Sequence, residues 1–66
     1  MADLDRAIQI NPGDVYAYRY RARARAGLKD YKGAVADYNV GFALNPELIV
    51  GDPELKIDEW KKLSRG

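Results

Sequence analysis

Four arginines and three tyrosines interleave in the single stretch Tyr16-Ala-Tyr-Arg-Tyr-Arg-Ala-Arg-Ala-Arg-Ala26, which holds the side chains best suited to recognising a ligand. A guanidinium group binds a carboxylate through two parallel hydrogen bonds, and a tyrosine adds rigid amphipathic area at little entropic cost. Placed on a helix, Arg19 and Arg23 share one side with Tyr16 and Tyr20, whereas Tyr18, Arg21, Ala22 and Arg25 share another. The first set has the chemistry to hold an acidic peptide or a chain's C-terminal carboxylate. The bland alternative is a charged, solvated face that binds nothing. Cations beside aromatics also stack single-stranded bases, but a net charge of only +1 counts against nucleic acid.

Catalytic chemistry has little to work with. The chain has no His, Cys or Thr and its lone serine is Ser64, so no nucleophile with an adjacent base can be assembled and no catalytic residue is assigned. Asp3 and Asp5 are two apart and face different sides of a helix, while Asp58 and Glu59 read as ordinary solvated charges. No set of ligands gathers on one face for a metal, and Gly27 to Gly33 lacks the spacing and the Gly-Lys-Ser/Thr ending of a phosphate loop. The expectation is a binding protein, not an enzyme, with no metal and no cofactor.

A chain of 66 residues makes one small domain that buries only about 60% of its unfolded surface, so its stability is expected to be modest. With 47% hydrophobic and 32% charged residues, the composition is that of a globular protein in water. No run approaches the roughly 20 apolar residues that span a bilayer. Without cysteine there is no redox signature, and Met1 to Ile8 is amphipathic and acidic where a secretory leader would be basic and then apolar. The cytoplasm is the default expectation.

The elements that carry the Arg/Tyr stretch are read as helices. Strict alternation from Tyr16 to Ala26 favours a half-buried strand by period alone, but Ala and Arg are strong helix formers and no residue there is β-branched. Helices are predicted near 2–11, 14–27, 31–45 and 53–64. Asp14 would cap the second, and Gly27 to Asp30 would form a hairpin turn. Asp52 and Pro53 would start the last helix, since Gly51-Asp52-Pro53 interrupts whatever follows Pro46. Gly41 lies inside the third helix, where Gly costs about 0.5 to 1 kcal/mol against Ala, so it predicts a close backbone approach or else simple drift.

A repeat runs through this pattern. Ala2 to Pro12 (ADLDRAIQINP) aligns without a gap on Ala36 to Pro46 (ADYNVGFALNP), an offset of 46 − 12 = 34 residues, with Ala, Asp, Asn and Pro identical at both ends. Leu4, Ile8 and Ile10 recur as Tyr38, Phe42 and Leu44. Together with Tyr18, Ala22, Ala34, Tyr38 and Pro46, this period resembles the tetratricopeptide repeat, whose unit is a pair of helices. Arg21 and Arg25 depart from that pattern by replacing apolar residues, and are expected to lay their methylenes on the neighbouring helix with their heads in water.

The resemblance implies an all-α, helix-turn-helix repeat fragment of an α-solenoid with four helices. Residues 1–13 would be the trailing helix of an incomplete repeat, 14–48 a complete repeat and 49–66 a capping helix, the whole reading as an excerpt of a longer array or an engineered piece. It also implies a protein-interaction module, because the first helix of each repeat in this family lines a groove for extended peptides or partner helices. The groove positions fall on Tyr16, Arg19, Tyr20 and Arg23, and the chaperone-tail clamp known in the family is not matched here. The alternative is a self-associating fragment. Leu4, Ala7 and Ile8 would lack a covering helix, Ile57, Trp60 and Leu63 would form a lid, and solenoid repeats bury their faces by stacking, so a homo-oligomer is expected.

Overall fold

Residues 2–65 are described by a computed structural model, in which the chain forms α1 (Ala2–Ile10), α2 (Val15–Gly27), α3 (Tyr31–Leu44), α4 (Pro46–Val50) and α5 (Ile57–Ser64). The fold is all-α, and the alternating stretch from Tyr16 to Ala26 is wholly helical, as its composition rather than its period indicates. Asp14 caps α2 by accepting a hydrogen bond from the Ala17 amide at 3.3 Å, and Asp30 caps α3 through the Gly33 amide at 3.1 Å. Between them the chain reverses in a Schellman turn. The Asp30 amide donates to the Arg25 carbonyl at 2.8 Å and the Lys29 amide to that of Ala26 at 3.0 Å. Lys29 takes the left-handed position of this turn, φ 65°, where glycine is usual.

The repeated Asn-Pro does the same work twice. Asn11 accepts from the Gly13 amide and Asn45 from the Glu47 amide, both at 3.2 Å, so each asparagine side chain turns the backbone while the proline that follows has no amide to leave unpaired. Val15 and Ile49, 49 − 15 = 34 residues apart, are both buried.

The expectation of four helices is corrected at this point. Asn45 as cap and Pro46 in the first turn launch the short α4, which stops at Gly51-Asp52-Pro53. Nor does Asp52 start the last helix. Its side chain accepts from the Glu54 amide at 2.8 Å and its carbonyl from the Leu55 amide at 3.2 Å, forming a tight turn, and α5 begins only at Ile57. The reason is Leu55, which is buried in the core at 8% exposure and pulls residues 52–56 into a strap across α2.

α2 and α3 form the central hairpin, with α1 packed on α2, α5 on α3, and α4 against both. The core is Val15, Ala22, Ala34, Ile49, Leu55 and Trp60, with Tyr31, Val35, Tyr38 and Ile57 packed around it. Ala22 and Ala34 are fully buried, small residues that bring the two long helices close. Gly41 is the close approach anticipated from its position: a Cβ there would lie 2.8 Å from Ile49 Cδ1 and 3.6 Å from Tyr18 Cβ. Phe42 stacks on Tyr38 with centroids 6.1 Å apart, yet it remains 43% exposed, so the last helix does not close over it.

Candidate functional site

Each side of α2 carries its own charge system. On the first side Arg19 lies between the rings of Tyr16 and Tyr20, its guanidinium carbon 5.4 and 5.5 Å from their centroids, and Arg23 lies 5.9 Å from that of Tyr20. The four residues assigned to a peptide groove are therefore contiguous, and both tyrosines are exposed. A guanidinium within about 6 Å of an aromatic centroid is attracted by the negative face of the ring.

These arginines already meet acids of the same chain. Arg19 donates to the Leu48 carbonyl from Nη1 at 3.1 Å, and its Nε lies 3.1 Å from Asp52 Oδ2. That pair is close but misaligned, since neither atom makes a hydrogen bond although both are buried. Arg23 Nη2 is 3.9 Å from Glu54 Oε2, a loose contact at a largely exposed carboxylate. Two open cavities flank the pairs. One of about 540 Å³ lies among Tyr20, Arg23, Glu54, Lys56, Glu59 and Trp60, and one of about 320 Å³ among Arg19, Leu48, Asp52 and Pro53.

On the other side Arg21 corrects the expectation of a head in water. It grips Asp37 of α3 through Nε–Oδ2 at 2.9 Å and Nη2–Oδ1 at 2.7 Å, and reaches Asp5 of α1 through Nη1 at 2.8 Å. Arg25 Nη1 stands 3.5 Å from the same Asp37. Asp37 is 3% exposed, and the short, bidentate geometry is what keeps the buried group satisfied. The hydrogen bond to Asp37 pushes the Arg21 guanidinium further above its ordinary proton affinity; burial opposes this and Asp5 adds to it. Sequence reasoning missed Asp37, Asp52 and Glu54. A signal existed for the first, because Arg21 and Asp37 each stand eight residues from Lys29 (29 − 21 and 37 − 29) and an antiparallel hairpin brings such positions opposite each other.

The residues assigned to self-association separate. Trp60 is buried and Ile57 packs on the core, Leu63 is 46% exposed, and Leu4, Ala7 and Ile8 of α1 are half-buried beside the core cluster rather than in it. Among the described residues no group of three or more His, Cys, Asp or Glu could hold a metal ion, and no helix is long and apolar enough to cross a membrane.

Compared with known proteins, the chain is 39% identical over 54 residues, 82% of its length, to human (Homo sapiens) sperm-associated antigen 1, a tetratricopeptide-repeat-containing protein. The chain spans 6% of the length of that relative. No protein-family model matches the chain, and no solved structure does.

Proposed function

We propose that the chain is a protein-interaction module of the tetratricopeptide kind that binds an acidic peptide on the α2 face of Tyr16, Arg19, Tyr20 and Arg23 and performs no catalysis. The observation that carries the reading is the pair of arginines one helical turn apart, held against exposed tyrosines at the mouths of two open cavities. Such a face supplies charge-assisted hydrogen bonds together with flat aromatic area, the combination that distinguishes a recognition surface from scattered solubilising charge. Similarity to a repeat-containing protein agrees with it, and so does the helical hairpin.

Titration with a short acidic peptide tests the assignment. Hydrogen bonds to charged groups contribute about 1.5 to 3 kcal/mol each, so replacing Arg23 with Ala is expected to weaken the peptide about tenfold or more, and the Arg19→Ala, Arg23→Ala pair further still. Equal binding by the wild type and the double variant would refute the groove.

A second reading is favoured by α1, whose Leu4, Ala7 and Ile8 are half-buried and lie outside the core cluster. That face would be completed by another copy of the chain.

A further inference from the structure

Two acids separated by one residue, Asp52 and Glu54, lie opposite two arginines separated by one helical turn, Arg19 and Arg23. Four residues of helix advance about 6 Å. The turn that presents the acids is itself well built, with the Asp52 side chain taking the Glu54 amide at 2.8 Å, Pro53 fixing the bend, and Ile49 and Leu55 buried on either side of it. The acids pair in chain order, Asp52 with Arg19 and Glu54 with Arg23, so the strap follows the direction of α2.

We infer that Asp52-Pro53-Glu54 is an internal ligand mimic: the α2 face recognises an acidic partner segment carrying two carboxylates one residue apart, and the strap occupies that site until such a segment displaces its side chains. This rests on the reading of the α2 face as an acidic-peptide groove. Three features of the contact fit a tenant that can leave. Asp52 Oδ2, on a side chain 8% exposed, and Arg19 Nε stand 3.1 Å apart with no hydrogen bond made by either, so the buried half of the mimic is ionic but poorly aligned. An incoming carboxylate that aligns with Nε gains a hydrogen bond that the strap does not make. Glu54 is the loose half, 3.9 Å from Arg23 with a side chain 64% exposed, and swings into water without disturbing the core. Finally, the backbone of the strap is pinned through Ile49 and Leu55, so exchange needs rotation of two side chains, with the Glu54 amide giving up its bond to Asp52, and not the unfolding of a segment.

The test uses the full chain and two synthetic peptides of equal charge, capped at both ends. One is Gly-Ser-Asp-Pro-Glu-Ser-Gly, and the other has the same residues with the acids moved to its ends. Titration calorimetry compares the wild type, Glu54→Gln, and the Asp52→Asn, Glu54→Gln pair. Freeing the arginines is expected to tighten the first peptide about threefold in the single variant and at least tenfold in the double variant, and the double variant is expected to prefer it about tenfold over the spaced isomer. Glu54→Gln alters an exposed side chain, so it keeps the test open should the double variant unfold. Acidic-peptide binding that is equal in wild type and variants overturns the mimic while leaving the groove standing. Equal affinity for the two peptides overturns the spacing rule. If no protein binds either peptide, the groove reading fails and the mimic with it.

Discussion

At the scale of single residues, stability is concentrated in Arg21 and Asp37. Removing one partner of a buried ion pair costs about 3 to 5 kcal/mol because the other is left uncompensated. The two ends differ here. Arg21→Met strands an Asp37 that is 3% exposed, with Arg25 as a more distant cation, whereas Asp37→Ala leaves Arg21 its bond to Asp5 and a path to water. Urea denaturation should therefore find Arg21→Met destabilised by about 3 kcal/mol and Asp37→Ala by roughly half of that. The reverse order would mean that Asp37 does not depend on Arg21. Folding raises the proton affinity of Arg21, so its contribution is fully present below the unfolded value and is lost only as pH climbs through the folded one, in strong alkali. Lys29 offers the opposite opportunity. A left-handed conformation costs a side-chain-bearing residue about 1 to 2 kcal/mol, so Lys29→Gly is expected to stabilise the chain by about 1 kcal/mol after the extra unfolded-state entropy of glycine is deducted.

Between elements, the contact that decides the architecture is α4 on α3. Ile49 sits directly on the backbone of Gly41, and this is why a five-residue helix remains in place although it is too short to be stable alone. Gly41→Ala would gain up to about 1 kcal/mol of helix propensity but drive a methyl to 2.8 Å from Ile49 Cδ1, in a core where overpacking costs about 1 to 3 kcal/mol. A net loss of about 1 kcal/mol is expected. Adding Ile49→Val removes the obstructing Cδ1, so the double variant should be more stable than the sum of the two single effects. A double-mutant cycle by thermal denaturation reads that coupling, and strict additivity would show that α4 moves aside freely.

For the molecule as a whole, extents of 33 × 25 × 16 Å describe a flat stack with one helix, α1, at its edge. It packs on α2 and is tied by Asp5 to Arg21, and its apolar residues Leu4, Ala7 and Ile8 are only half-buried. Fully burying a Leu or Ile side chain contributes about 1.5 to 3 kcal/mol, a large share of the stability open to a chain of this size. If a second copy covers this face, sedimentation at micromolar concentration will show a dimer or larger assembly that Leu4→Lys returns to monomer. A helical monomer at every concentration would dismiss that reading. Trp60, assigned to the same interface, is buried in the core of its own chain.

What the sequence determined by itself was local or periodic. The helix-forming run of Ala and Arg in α2, the cap Asp14, the turn from Gly27 to Asp30, the recurrence of Asn-Pro and the need for space at Gly41 were all legible, because each is fixed by a few neighbouring residues or by the repeat. The contiguity of Tyr16, Arg19, Tyr20 and Arg23 followed from helical spacing alone. Tertiary structure decided the partners of the arginines. Arg21 turns inward because the hairpin sets Asp37 opposite it, and Arg19 meets Asp52 because burial of Leu55 pulls the strap across α2 instead of letting Pro53 open a helix. No local signal weighs the burial of a leucine in a distant core against the capping preference of an aspartate before a proline, and here the core prevailed.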